Sequence, residues 1–385
     1  MNRKTFWLVS ISHFVNDGNG VVLPIVYTFL LSSLGISTLL VGFLGGTYWA
    51  VSALSAPLVG RLTDLYRKPN RLIGLGILLW GLSLMILSVA VESGSLVAIF
   101  ICVALAGFSS AFYHPLGAVS LTQIFKNRAG SVMGLNGALG SIGRALYPTL
   151  TMFLFINLAL GQPSMLPTLL ILGGFSILAA MPLFGRETAK LAPMEGKTVL
   201  AAKVWPTIIL IALISFLWNM FAMSTAQFLP TLLVDVYHFS FSVDLGLVLT
   251  ASMVGAVLGQ PILGFLSDRL GRRFIFGFAG FGGAFFFLLF LLWPSVIWLI
   301  LAGFFIYSMF PVVLTLVGDL VPPHAAGFAN ALVWGIGTSG GAAVGPVLIG
   351  FLAGIVGLAQ AMLILTCLGL ASVLLVPFIR KPKVQ

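Results

Sequence analysis

Twelve apolar runs, each 20 residues or longer, follow one another along this chain with little between them. No other sequence feature restricts the fold as much. A run of about 20 apolar residues crosses about 30 Å of hydrocarbon as one helix. The runs lie near 6–34, 38–60, 72–91, 95–124, 129–157, 165–184, 204–234, 243–267, 273–293, 295–318, 327–355 and 357–379. Several exceed a single perpendicular crossing and are expected to tilt. Composition agrees, since 59% of the 385 residues are hydrophobic and only 7% charged, against about 25% charged in soluble domains. The expected fold is an all-α integral membrane protein with twelve transmembrane helices. Almost nothing is left for a soluble domain, so activity must reside among the helices or in short loops.

The net charge of +10 would suggest nucleic acid as partner of a soluble protein, but here its distribution describes topology. Eighteen of the 19 lysines and arginines fall at the termini or in even-to-odd loops: Arg3 and Lys4; Arg61, Arg67, Lys68 and Arg71; Lys126 and Arg128; Arg186, Lys190, Lys197 and Lys203; Arg269, Arg272 and Arg273; Arg380, Lys381 and Lys383. The opposite loops, near 35–37, 92–94, 158–164, 235–242 and 356, hold none, and the acids near them are Glu92, Asp235 and Asp244. The positive-inside rule then places both termini in the cytoplasm, with the protein in the cell membrane. The first apolar run is too long for a cleavable signal peptide. Cys102 and Cys367 fall inside spans, which implies no disulfide framework.

An internal repeat organises the spans. Gly60-Arg-Leu-Thr-Asp64 closes the second span, and Gly264-Phe-Leu-Ser-Asp268-Arg269-Leu-Gly271-Arg272-Arg273 closes the eighth. Span five aligns with span eleven as Gly130/Gly327, Gly140/Gly337 and Gly143/Gly340, and span one with span seven as Ser12/Ser215 and Asn16/Asn219. Two six-helix halves follow, 1–184 and 204–385, joined by the polar segment 185–203. Parallel repeats of this kind flank a site near the midplane that is reached alternately from each side.

The stretch Gly264 to Arg273 resembles the loop signature of the major facilitator superfamily. Its first-half copy is degraded, with Leu65 where a basic residue is expected and Lys68 before Pro69. The resemblance implies two pseudo-symmetric six-helix bundles working by alternating access. More narrowly, Ser12-His13-Phe14-Val15-Asn16-Asp17 and Ser109-Ser110-Ala111-Phe112-Tyr113-His114-Pro115 are similar to the fosmidomycin-resistance-type branch. That branch continues after His-Pro with an acid and then an arginine, whereas this chain has Leu116, Gly117 and Ala118. Its substrate is therefore not carried over.

The loop signature makes physical sense as a latch. Gly60 and Gly264 would permit close backbone approach, and Gly271 belongs to the same signature. Asp64 and Asp268 would cap the positive ends of neighbouring helices, and Arg269, Arg272 and Arg273 would stay at the lipid surface. The resemblance implies that those neighbours are spans eleven and five, so that the latch holds one access state. Positive-inside charge alone explains the arginines but not the repeated Gly-x-x-x-Asp. Asp319 and His324, at the end of span ten, suit an ionic contact on the same side better than substrate.

Arg144 is the remaining basic residue, and it lies within the glycine-rich stretch 130–148. A charge at the bilayer centre costs about 3 kcal/mol on insertion scales, so it persists where a partner, ligand or water cavity receives it. Snorkelling does not account for it, because Arg144 is about 16 residues, or about 24 Å, beyond the cytoplasmic end of its span. Asn136, Arg144 and Tyr147 share roughly one helix face. Two roles stay open, a substrate-binding cation and one half of a structural ion pair. The repeat places Gly341 opposite Arg144 and Met220 opposite Asp17, so neither charge is demanded by the scaffold.

Asp17 lies about 18 Å into span one, at a depth compatible with Arg144. His13 sits one turn before it and Asn16 beside it. A carboxylate with an imidazole at i−4 in a partly dry cavity can bind and release a proton; the bland reading is that Asp17 only neutralises Arg144. His114, ahead of Pro115, could join the proton pathway as a gate or bond a freed carbonyl. Asn219, Gln227, Tyr307 and Trp334 are candidates for an opposite cavity wall. The phenylalanine-rich run 274–290 reads as lipid-facing bulk.

The leading function is secondary active transport of a small polar or anionic solute or a drug, with Arg144, Asn16, Asn136 and Tyr147 binding substrate and Asp17, His13 and His114 carrying protons. An uncoupled facilitator with Asp17–Arg144 as a structural pair is the alternative, ahead of a multidrug/proton antiporter or a receptor. No metal-ligand spacing, phosphate loop, nucleophile motif or ATP-binding motif is found, so neither an enzyme nor a cofactor is expected. The expected partners are the small-molecule substrate, protons and the lipid bilayer, for a monomer. Cysteines placed at Lys197 and Glu92 should react with an impermeant maleimide from opposite faces of the membrane; labelling from one face would contradict the topology.

Overall fold

The computed structural model describes residues 2–66, 68–125, 128–158, 164–185, 202–321 and 323–379. Among them, twelve helices are long and apolar enough to cross a membrane. They are α1 (Arg3–Leu34), α2 (Thr38–Leu62), α3 (Pro69–Glu92), α4 (Leu96–Phe125), α5 (Val132–Asn157) and α6 (Leu166–Phe184), then α7 (Trp205–Val236), α8 (Val243–Leu270), α9 (Arg272–Leu292), α10 (Val296–Leu320), α11 (Ala325–Val356) and α12 (Leu358–Phe378). Hydrocarbon offers no partner for backbone N–H and C=O groups, so each crossing satisfies them internally as a helix. Every helix lies within a few residues of its expected run. The differences fall at polar ends, as in α1 and α3, because a helix continues past the apolar core while Arg3, Lys4 or Arg71 reach toward water.

Prolines sit inside α1, α2, α5, α7, α8 and α11, at Pro24, Pro57, Pro148, Pro230, Pro261 and Pro346. Membrane helices tolerate them where neighbouring helices re-satisfy the freed carbonyl. In α4 a turn at Ala111 and Phe112 separates Leu96–Ser110 from Tyr113–Phe125. Pro115 has no N–H to offer the carbonyl of residue 111, which accounts for the break just before it.

The described chain forms two compact units: residues 1–36, 47–194 and 233–250, and residues 37–46, 195–232 and 251–385. In the first, α1 packs along α5 and α3 along α6. A Cβ on Gly143 would strike the Phe14 carbonyl, and one on Gly140 would meet the His13 ring. Small residues thus let two backbones approach until side chains one turn apart can touch. Trp80, Tyr27, Tyr147 and Phe112 are fully buried in this unit. In the second, α7 packs on α11 with Gly341 against the Phe216 carbonyl.

These matched contacts correct the register of the repeat. Gly143 meets Phe14 as Gly341 meets Phe216, so Asp17 corresponds to Asn219 rather than Met220, and Arg144 to Ala342 rather than Gly341. A π-helical turn at Val333–Ser339 admits one extra residue into α11 and explains the slip after Gly337. The phenylalanine run also needs correcting. Phe274, Phe278, Phe281 and Phe285 are exposed, whereas Phe276, Phe287 and Phe290 are buried in the second unit, as the 3.6-residue period of α9 requires.

Gly143→Val should destabilise the first unit, since backbone must shift to admit the branch and overpacking costs about 1–3 kcal/mol. Gly134→Ala, where a Cβ meets nothing within 4 Å, should be neutral or better. Thermal unfolding in detergent checks the pair; equal melting of both variants would contradict the close approach.

Candidate functional site

Asp17 is buried, with 4% of its side chain exposed, and three cationic or ionisable groups converge on it. His13 Nε2 lies 3.3 Å from Oδ2, Arg144 Nη1 3.2 Å from the same oxygen, and His114 Nε2 3.5 Å from Oδ1. Asn16 Nδ2 donates to Oδ1 at 3.1 Å, and Trp80 Nε1 donates in turn to Asn16 Oδ1 at 3.2 Å. The depth match expected for Asp17 and Arg144 is thus direct contact. Two of these neighbours come from the i, i+4 geometry of α1 and the close approach of α5 at Gly140 and Gly143. His114 comes from the second segment of α4.

Asn136 holds His13. His13 Nδ1 is 2.8 Å from the Asn136 carbonyl oxygen, while Asn136 Oδ1 accepts from Ser10 Oγ at 3.1 Å and Tyr113 Oη at 2.9 Å. The Tyr113 ring stacks on the His13 ring, with centroids 4.5 Å apart. A carbonyl oxygen only accepts, so Nδ1 carries a proton and Nε2 faces the carboxylate. An ionised carboxylate also only accepts. The contact is therefore favourable with one further proton, held on Nε2 or on Asp17.

Ligand atoms of His13, Asp17 and His114 lie within 4.8 Å of one another, close enough for a single metal ion. The guanidinium of Arg144 already lies against that carboxylate, and a divalent ion would have to displace it. The donor set suits a proton and an arginine better than a metal.

The remaining predicted residues are placed as follows. Tyr147 packs edge-on against Phe14, with centroids 5.7 Å apart, and its hydroxyl is buried with no hydrogen-bond partner among the described residues. Arg144 Nη2 also donates to Ser141 Oγ at 3.1 Å. His114 faces Asp17 instead of a freed carbonyl and is half exposed. In the second unit, Asn219 Nδ2 donates to the Ser215 carbonyl at 2.7 Å, and Asn219 Oδ1 and Gln227 Nε2 are buried without partners among the described residues. Tyr307 and Trp334 flank Phe310, with ring centroids at 6.4 and 5.9 Å.

At the loop signature, Gly60 and Gly264 do not support close approach, since a Cβ at either would meet nothing within 4 Å. Gly271 has φ +96 and ends α8 with its N–H on the Ser267 carbonyl at 3.1 Å, a conformation that glycine adopts without strain. Arg272 bridges Asp268 at 3.2 Å and Asp319 at 2.6 Å. Arg269 lies 4.2 Å over the Phe265 ring, and Arg273 Nη1 donates to the Ile379 carbonyl at 2.9 Å. The side chains of Asp64 and His324 lie outside the described residues.

Sequence reasoning missed Tyr113, Trp80 and Ser10, which tie Asn136 and Asn16 down. Tyr113 precedes His114 in the quoted stretch, but a tyrosine in a span gives no sign of its partner. It also missed Trp218 Nε1, Ser215 Oγ and Ser224 Oγ, which join Asn219 and Gln227 on α7 as buried polar atoms without partners among the described residues.

Asn136→Ala leaves Tyr113 and Ser10 without an acceptor and should cost about 1–3 kcal/mol, whereas Tyr113→Phe, which keeps the stack, should cost about 1 kcal/mol. Thermal melts rank them; a Tyr113→Phe loss equal to that of Asn136→Ala would contradict the shared-acceptor arrangement.

Comparison with known proteins covers the whole chain. A model of the Major Facilitator Superfamily matches residues 9–245 and 242–385. The chain is 25% identical over 381 residues to the uncharacterised MFS-type transporter YfnC of Bacillus subtilis, covering 95% of this chain and 90% of that one. It is 24% identical over 353 residues to the fosmidomycin resistance protein of Escherichia coli, covering 88% and 84%. Among solved structures, a bacterial homologue of the human lysosomal transporter Spinster superposes with a TM-score of 0.78 at 15% identity, covering 99% of this chain and 97% of that one. That likeness speaks to the fold.

Proposed function

Because this chain belongs to the Major Facilitator Superfamily, we propose that it is a proton-coupled secondary transporter of a small organic anion, with Arg144 binding substrate and Asp17 carrying the coupling proton. The halves 1–184 and 204–385, joined by 185–203, are the parts that alternate, in a monomer of the cell membrane with both termini cytoplasmic. The observation that carries the reading is the buried carboxylate of Asp17 held by Arg144, His13 and His114 within 3.5 Å.

Charge counting gives this cluster a mechanism. With that further proton on the His13–Asp17 pair and a charged Arg144, the three groups sum to one positive charge. Without the proton they sum to zero, and the Nε2 lone pair faces a carboxylate. A buried net charge is costly unless neutralised, so proton and anion favour each other's binding, which is thermodynamic coupling. The orphaned hydroxyl of Tyr147 and the unpartnered polar atoms of Asn219 and Gln227 are suited to contact substrate, because buried polar groups need partners. Asn16 and Asn136 act as positioning residues, and Tyr307 and Trp334 as apolar walls. The Asp268–Arg272–Asp319 contact ties the ends of α8, α9 and α10 within the second unit and is the part of the latch that the described side chains support.

One observation favours a second reading: the 3.2 Å contact between Arg144 and Asp17 is also what a structural ion pair in an uncoupled facilitator would show. Reconstituted protein assayed with carboxylates and phosphonates, with and without an imposed pH gradient, separates the two. Arg144→Gln should lose binding at least ten-fold, about 1.4 kcal/mol or more. Asp17→Asn should abolish pH-driven accumulation while retaining exchange, and the double variant should be as inactive as the worse single one. Rescue in the double variant would identify a structural pair, since a single change leaves one charge buried and uncompensated.

A further inference from the structure

The three arginines after Asp268 divide their contacts unevenly. Arg272 is taken by two carboxylates and Arg269 lies over an aromatic ring. Arg273 turns instead to the end of α12, where Nη1 donates to the carbonyl of Ile379, a buried residue just past the helix. No carboxylate among the described residues forms an ion pair with it. Directly below it, α9 and α12 frame a groove of about 400 Å³ lined by Phe274, Gly277, Phe278, Phe281, Val376 and Pro377. The three phenylalanines recur at one-turn spacing and are 60%, 44% and 49% exposed. Gly277 leaves the floor open, since a Cβ there would approach the Val376 side chain at 3.2 Å.

We propose that this groove binds an anionic phospholipid, with its phosphate on Arg273 and one acyl chain along Phe274, Phe278 and Phe281 against α12. The shape follows from the helix: Arg273 to Phe281 is eight residues, or about 12 Å of apolar floor headed by one cation. A soluble anion would use the cation and leave the floor bare, whereas a neutral lipid would use the floor and leave the cation. Basic pockets between membrane helices select anionic headgroups for this reason. The sequence adds positive charge beyond Ile379, at Arg380, Lys381 and Lys383. The groove adjoins the Asp268–Arg272–Asp319 contact by one residue, so an occupied groove would brace α9 beside it.

Native mass spectrometry of detergent-purified protein, titrated with phosphatidylglycerol and phosphatidylcholine of identical acyl chains, tests the assignment. The wild type should retain phosphatidylglycerol in preference, by a factor on the order of five. Arg273→Gln should reduce that preference to the level of phosphatidylcholine, Arg269→Gln should leave it intact, and Gly277→Leu should weaken retention of both lipids by filling the floor. Equal retention of the two lipids by the wild type would overturn the proposal, as would a preference that survives Arg273→Gln. Displacement of the lipid by millimolar inorganic phosphate would overturn it too, by marking a site for a free anion.

Discussion

The carboxylate of Asp17 governs the interior of the first unit. A charge removed from water persists only if other groups neutralise it and fill its lone pairs. Here Arg144 supplies the charge, His13 and His114 supply titratable nitrogens, and Asn16 supplies a neutral donor. Each depends on backbone geometry. Arg144 reaches Asp17 because α5 runs against α1 with only hydrogen atoms at Gly140 and Gly143 between them, and His114 reaches it because Pro115 breaks α4 and starts a new segment. Packing and electrostatics in this unit are one problem, solved together.

Around that carboxylate lies a shell of ordinary hydrogen bonds whose purpose is orientation. Asn136 accepts from Ser10 and Tyr113 and takes the Nδ1 proton of His13 on its backbone carbonyl. The imidazole can then respond to Asp17 only through Nε2. Such an outer shell fixes which nitrogen faces the carboxylate, and the Tyr113 stack fixes the plane of the ring. In the second unit the corresponding helix carries Asn219 where α1 carries Asp17, and Asn219 Oδ1, Gln227 Nε2 and Trp218 Nε1 on it lack partners among the described residues. The scaffold repeats, but the charge does not.

Much of this was legible in the sequence because the bilayer imposes it. The twelve helices follow from apolar run length, and Asp17 and Arg144 stand out because charges are rare where hydrocarbon surrounds the chain. The i, i+4 pairing of His13 with Asp17 follows from helical spacing alone. What escaped depends on rotation and register. The repeat register slipped because a π-helical turn leaves no mark in composition, and three of the eight phenylalanines in the run face inward because hydropathy does not distinguish lipid from core. Gly60 and Gly264 looked like packing glycines but meet open space, since a small residue records tolerance rather than contact. Tyr113, Trp80 and Ser10 were invisible as partners, because hydrogen bonds over long sequence separations have no local signature.

On the proposed function, one proton and one anion load this cluster together. The direct measurement is proton uptake by the detergent-purified protein in weakly buffered solution near neutral pH, followed with an indicator dye as organic anions are added. An anion that binds should draw protons from solution in proportion to occupancy, approaching one per protein, and the same anion should draw none into Asp17→Asn. Saturable anion binding with no proton uptake by the wild type would contradict it and leave Asp17 as a counter-ion to Arg144.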